Sequence, residues 1–150
     1  MTSATGDGGA DLLQPQRRLR ARFDDYLEAL DRRDRAAQSL ALRDFEERLR
    51  RWTHREEEIL LPILAQAGVP GRDPRRELRL EYVQLRELTR YLLELSTRNA
   101  ALGDILGLVE NLGRRLAAHE REMASVYYPA AASRLTPEDL RRLREEAPPD

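Results

Sequence analysis

The sequence predicts an all-α fold: an up-down-up-down bundle of four helices followed by a short C-terminal helix. Three observations predict it. Leu, Ala, Glu and Arg, all good helix formers, dominate the middle of the chain. Apolar residues recur three and four positions apart, and no stretch alternates with a period of two. Breaks divide this pattern into four long runs joined by short links, which is the sequence signature of an antiparallel bundle.

The first run spans about Leu12 to Arg35, with Pro15 near its start, where proline is tolerated. Leu12, Leu19, Phe23, Tyr26 and Leu30 form its apolar stripe. The second spans about Leu40 to Ala67, with Leu42, Phe45, Leu49, Trp52, Ile59, Leu60 and Ile63 on one side. Pro62 lies inside it and is expected to kink or loosen its last turn. The stretch "AGVPGRDP", Ala67 to Pro74, is a loop. The third run, Pro74 to Ser96, opens with Asp73 as N-cap and Pro74 at the first helical position. Its stripe is Leu78, Tyr82, Leu85, Thr89 and Leu92. The fourth spans Ile105 to Ala132, with Leu108, Leu112, Leu116, His119, Met123 and Val126 aligned. Thr136, Pro137, Glu138 and Asp139 then supply an N-cap, a first-turn proline and first-turn acids for a short helix ending before Pro148.

The 150 residues suit one domain. Residues 1–10 read as a disordered lead-in, 11–134 as the bundle, and 135–150 as a short helix and tail. With no cysteine in the chain, disulfides, thiolate metal sites and cysteine nucleophiles are excluded. All 26 basic side chains are arginine, as a GC-rich bacterial genome produces, and 27 acids balance them. Interleaved charge of both signs argues against a nucleic-acid partner. No run approaches the roughly eighteen apolar residues of a membrane span, and no secretory signal opens the chain. The expected compartment is the cytoplasm, and the expected state is a monomer or homodimer with a protein partner still to be identified. No glycine-rich phosphate loop is present, and Ser39, Ser96, Ser125 and Ser133 lack an evident base, so a non-enzyme is expected.

The stretch "WTHREEEILLP", Trp52 to Pro62, holds His54 and Glu58 at the i,i+4 spacing of two metal ligands. Helical phase argues otherwise. At about 100° per residue, the apolar side chains of the second run fall within an arc of about 100°, and Glu56 falls inside that arc. His54 and Glu58 lie outside it and are expected on the solvated face. In the fourth run, by contrast, His119 shares the stripe of Leu112, Leu116 and Met123 and is the inward histidine.

These residues resemble the hemerythrin-like, or HHE cation-binding, family. In that family, helices two and four each carry a pattern like His-x-x-x-Glu-Glu-x-x-Leu-Phe-Pro. Set by Pro62, the resemblance puts the family histidine at Trp52 and the glutamate at Glu56. Set by Pro129 in "HEREMASVYYP", it puts the histidine at His119 and the glutamate at Met123. Helix three of the family reads Glu-His-x-x-Leu-Arg; here Glu81, Tyr82, Leu85 and Arg86 stand there, with tyrosine for histidine. The helix-one histidine corresponds to Phe23, or to Arg20 in an alternative register. The likeness covers about Leu12 to Ala132, and "SRLTPEDLRRL" is similar to common tails of the family.

The family's four-helix bundle holds a non-haem di-iron centre, so the resemblance implies iron. The ligand positions imply its loss, because Phe23, Trp52 and Met123 do not bind hard iron. The expected function is therefore a degenerate, metal-free structural, interaction or sensing bundle with a buried Glu56–His119 pair, joined by the Tyr82 hydroxyl, and no cofactor. The alternative is a metal site of His119, Glu56 and Tyr82, with Glu81 or Tyr26 in support, holding a single iron or zinc. A haem on His119 or Tyr82 is a further form of that alternative. Tyr127 and Tyr128 read as an aromatic patch at the bundle end, serving packing.

Overall fold

The computed structural model describes the backbone of residues 3–145 and the side chains of residues 12–145. Helix α1 is Ser3–Asp31. Helix α2, Arg35–Arg55, continues through a wide five-residue π turn, Glu56–Leu60, into α3, Leu61–Ala67. Helix α4 is Pro74–Thr97. Helix α5, Leu102–Glu122, continues through a second π turn, Met123–Tyr127, into α6, Tyr128–Ala132. A short α7, Pro137–Arg144, ends the described chain. No strand occurs among the described residues.

These elements make the expected four-helix bundle. α1 packs along α2, α2 and α3 against α4, α4 along α5, and α5 and α6 back against α1. The interior is a single apolar core built from all four long segments. α7 lies against α1 and the first π turn, buries Leu143, and is tied down by Arg18, whose guanidinium donates to the Arg144 carbonyl at 3.0 Å.

Local chemistry sets most boundaries. Asp73 accepts from the Arg76 N–H at 3.3 Å, and Pro74 opens α4. Thr136 and Asp139 form a reciprocal capping box at α7. Gly68 and Gly71, both at positive φ, turn the long loop before α4. Two boundaries differ from expectation. α1 is helical from Ser3, whereas the lead-in was expected to reach residue 10; Gly6, Gly8 and Gly9 weaken a helix without blocking it. Residues 1 and 2, and the tail from 146, lie outside the described residues. The α1–α2 break falls at residues 32–34, where neither glycine nor proline marks it. Arg33 takes the left-handed conformation (φ 56°), and Asp34 caps α2 through the Ala37 N–H at 3.1 Å.

The π turns are the largest departure from a regular helical reading. The Leu61 N–H reaches back five residues to the Glu56 carbonyl, and the Tyr128 N–H to the Met123 carbonyl. Each wide turn ends two residues before a proline that offers no N–H, Pro62 or Pro129, so the expected kink is replaced by a widened turn. One extra residue in a turn rotates everything after it by about 100°. The stripe therefore moves on by one position. Leu61 and Leu64 are buried and Ile63 only half-buried; Tyr127 and Tyr128 are buried and Val126 half-buried. Leu108 is likewise half-buried, with Ile105 and Val109 taking the core positions.

This shift is measurable. Leu64→Ala is expected to cost about 2–5 kcal/mol in urea unfolding, and Ile63→Ala less than half as much. Equal losses at the two positions would contradict the shifted register.

Candidate functional site

The inward polar residues sit at the end of the bundle nearest the two prolines. Glu56 opens the first π turn and is buried. His119 is in the last turn of α5, and Tyr82 lies on the inner face of α4; both are buried. The ligand-equivalent Trp52 and Met123 are buried beside them, on α2 and at the start of the second π turn. All five face inward, as helical phase requires. Phase also puts His54 and Glu58 outside: they are exposed and form a 3.0 Å surface pair, Nε2 to Oε1.

Trp52 stands edge-on to Tyr82, with ring centroids 5.9 Å apart, and edge-on to His119 at 5.4 Å. Tyr82 and His119 meet edge-on at 5.6 Å. The three rings thus form one mutually T-shaped cluster, the favoured arrangement for aromatic quadrupoles. A void of about 20 Å³ lies beside it, between Gln16, Leu19, Trp52 and His119.

The predicted Glu56–His119 hydrogen bond does not form. Each partner is claimed by a different neighbour. The Tyr128 hydroxyl donates to Glu56 Oε1 at 2.8 Å and accepts from Gln16 Nε2 at 2.8 Å. His119 Nδ1 donates to Glu81 Oε1 at 2.5 Å. Gln16 and Tyr128 were missed as site residues. Gln16 fills the i+4 position after Leu12 and precedes Leu19 by three, so its place on the α1 stripe was readable. Tyr128 faces inward only because of the π turn. Tyr127, far from being a mere packing residue, donates to Glu77 Oε2 at 2.8 Å and receives from Arg72 at 3.3 Å.

Of the helix-one alternatives, Phe23 is buried, with its ring 5.4 Å from that of Phe45 and against Gly113. Arg20 lies at the surface and pairs with Glu120 at 3.3 Å. Tyr26 is buried but sits beside Ser96, away from the cluster.

Burial sets the electrostatics. Desolvation lifts the Glu56 carboxyl from its ordinary 4.5 to about 7, only partly opposed by the Tyr128 hydrogen bond and by His119. Burial, reinforced by Glu56, pushes the Tyr82 and Tyr128 phenols well above their ordinary range. Four buried polar atoms of the site have no hydrogen-bond partner: Gln16 Oε1, Glu56 Oε2, Tyr82 Oη and His119 Nε2.

The donor set does not fit a di-iron centre. Such a centre needs several imidazoles and bridging carboxylates. Here an indole, a thioether and a phenyl ring stand at three ligand-equivalent positions. Among the described residues no group of three or more His, Asp or Glu is placed to hold a metal ion.

A pH dependence follows from Glu56. Its folded value, about 7, lies above its ordinary 4.5, so the folded state holds the proton more tightly. The cost of ionising it is absent below pH 4.5, grows between 4.5 and 7, and is complete above. Glu56→Gln retains an acceptor for Tyr128 and never ionises. Its stability relative to the parent is expected to rise by roughly 3 kcal/mol between pH 4.5 and pH 8, read by urea unfolding across that range. A gap independent of pH would contradict the buried ionisation.

No protein of curated function and no solved structure matches the chain. A family model does: the hemerythrin HHE cation binding domain, over residues 8–131. That span runs from within α1 to two residues past Pro129 and contains every residue of the site. The chain belongs to the hemerythrin HHE cation-binding domain family.

Proposed function

We propose that this chain is a hemerythrin-family bundle that has exchanged its metal centre for a packed polar core, and that it works without a metal as a non-catalytic interaction or sensing module. The observation that carries this reading is Trp52. Its indole occupies the histidine position of helix two and closes on Tyr82 and His119, beside a void of about 20 Å³. That is space for about one water and not for a haem. Glu56 is meanwhile engaged by Tyr128, which Gln16 holds in turn, and a protonatable carboxyl near pH 7 in an apolar setting supplies the sensing element. The even balance of arginine against acid supports a protein partner over a nucleic acid.

A second reading has its own specific support. The unpartnered atoms Glu56 Oε2, Tyr82 Oη and His119 Nε2 are those a single iron or zinc ion would use. The other polar atoms of Glu56 and His119 are held by Tyr128 and Glu81, as outer partners hold metal ligands.

Elemental analysis of untagged protein, with an absorption spectrum, separates the two. The metal-free reading expects less than about 0.1 iron or zinc per chain after incubation with excess metal and gel filtration, and no Soret band. Stoichiometric metal that disappears in His119→Ala would overturn it in favour of the second reading.

A further inference from the structure

At the opposite end of the bundle the turn between α1 and α2 meets the turn between α4 and α5. Between them lies a groove of about 360 Å³ that the polar centre does not reach. Its composition is unlike the rest of the surface. Leu30, Leu93, Ala100, Leu102 and Ile105 give it an apolar floor, and Arg33 and Arg35 stand at its edge. Hydrogen-bonding groups come from Gln38, Ser39, Ser96, Thr97 and Asn99. No acid lines it, although 27 of the chain's 150 residues are acidic.

Neither arginine forms an ion pair with a carboxylate among the described residues. Asp31, Asp34, Glu94 and Asp104 belong to the flanking turns and helix ends, but none lines the groove, and Asp34 is engaged in capping α2. Arg35 donates to the neutral Asn99 side chain rather than to an acid. α5 begins at this edge with Ala101 in the N-cap position, no side-chain cap, and Asp104 in its first turn. The two non-glycine residues at positive φ among those described, Arg33 and Asn99, both line the groove. A left-handed backbone at such residues is uncommon and costs energy, and here it places one cation and one amide at the same rim.

We propose that this groove binds a small amphipathic anion: a carboxylate or phosphate head held by Arg33, Arg35 and Asn99, with a short apolar body laid on Leu30, Leu93, Leu102 and Ile105. The size is at the small end of ligand pockets, about 300–1,000 Å³, and the lining follows their usual plan of apolar walls with a few converging polar groups. The head is anionic because both charged groups are guanidiniums, which match the planar oxygens of such heads. The body is short because the groove holds only about 360 Å³.

The test uses the full chain and three probes: octanoate, octan-1-ol, which has the chain without the charge, and acetate, which has the charge without the chain. Titration calorimetry and amide chemical shifts are read for each. Octanoate is expected to bind saturably at one site and to shift the amides of Gln38, Ser39 and of Asn99 to Ile105. Octan-1-ol and acetate are each expected to bind about tenfold more weakly or worse. Arg33→Gln with Arg35→Gln, both exposed and outside the core, is expected to weaken octanoate about tenfold, while Arg90→Gln, on the outer face of α4, leaves it unchanged. Octan-1-ol binding as tightly as octanoate, equal loss from Arg90→Gln, shifts confined to other segments, or no saturable octanoate binding would each overturn the proposal.

Discussion

Two helices of this bundle run into a proline, Pro62 and Pro129, and each proline removes a helical N–H and drives its ring toward the carbonyl four residues before it. Both helices absorb the conflict in the same way, with a π turn that begins six residues earlier, at Glu56 and at Met123. The rest of the centre depends on that solution. The wide turn holds Glu56 inward at its start, then rotates the following segment so that Leu61 and Leu64 on one helix, and Tyr127 and Tyr128 on the other, face the core. Without the second turn, Tyr128 would not reach Glu56, and a buried carboxyl would have no hydrogen bond at all, at a cost of about 1–3 kcal/mol while protonated and more once ionised.

The polar groups at this centre are arranged as two separate sets. Gln16, Tyr128 and Glu56 form one chain, and Glu81 with His119 forms the other. The aromatic triangle of Trp52, Tyr82 and His119 lies between them and fills most of the space. This division explains why one scaffold reads in two ways. The packing is that of a finished core, whereas the orphaned atoms Glu56 Oε2, Tyr82 Oη and His119 Nε2 retain the outward form of a ligand set. In the reading proposed here Trp52 decides between them, because its indole takes the volume that a ligating imidazole and an ion would share.

The fold was legible because its signals were local and repeated. Leu78, Tyr82, Leu85, Thr89 and Leu92 recur at helical spacing without interruption, and all five are buried. The caps at Asp73 and Thr136 were readable from two or three residues each. Phase alone separated the inward Glu56 and His119 from the solvated His54 and Glu58. What could not be read was whatever depended on a change of helical pitch or on a choice among neighbours. A regular 100° step carried past Glu56 selects Ile63 and Val126, and the π turns falsify it by one residue. The partner of His119 was a choice between two glutamates, and no spacing rule favours Glu81 on α4 over Glu56 on the π turn. The α1–α2 turn was invisible because an arginine, not a glycine, supplies its left-handed residue.

The central claim is that Trp52 is now a structural member of the core and not a blemish on a working metal site. The most direct measurement is the unfolding free energy of Trp52→His, which returns the family residue to its position, determined in urea with iron(II) present. A core role predicts a loss of roughly 2–4 kcal/mol, since a smaller and more polar ring leaves a cavity between Tyr82 and His119 that iron does not repair. A variant as stable as the parent, or one stabilised by the added iron, would contradict it.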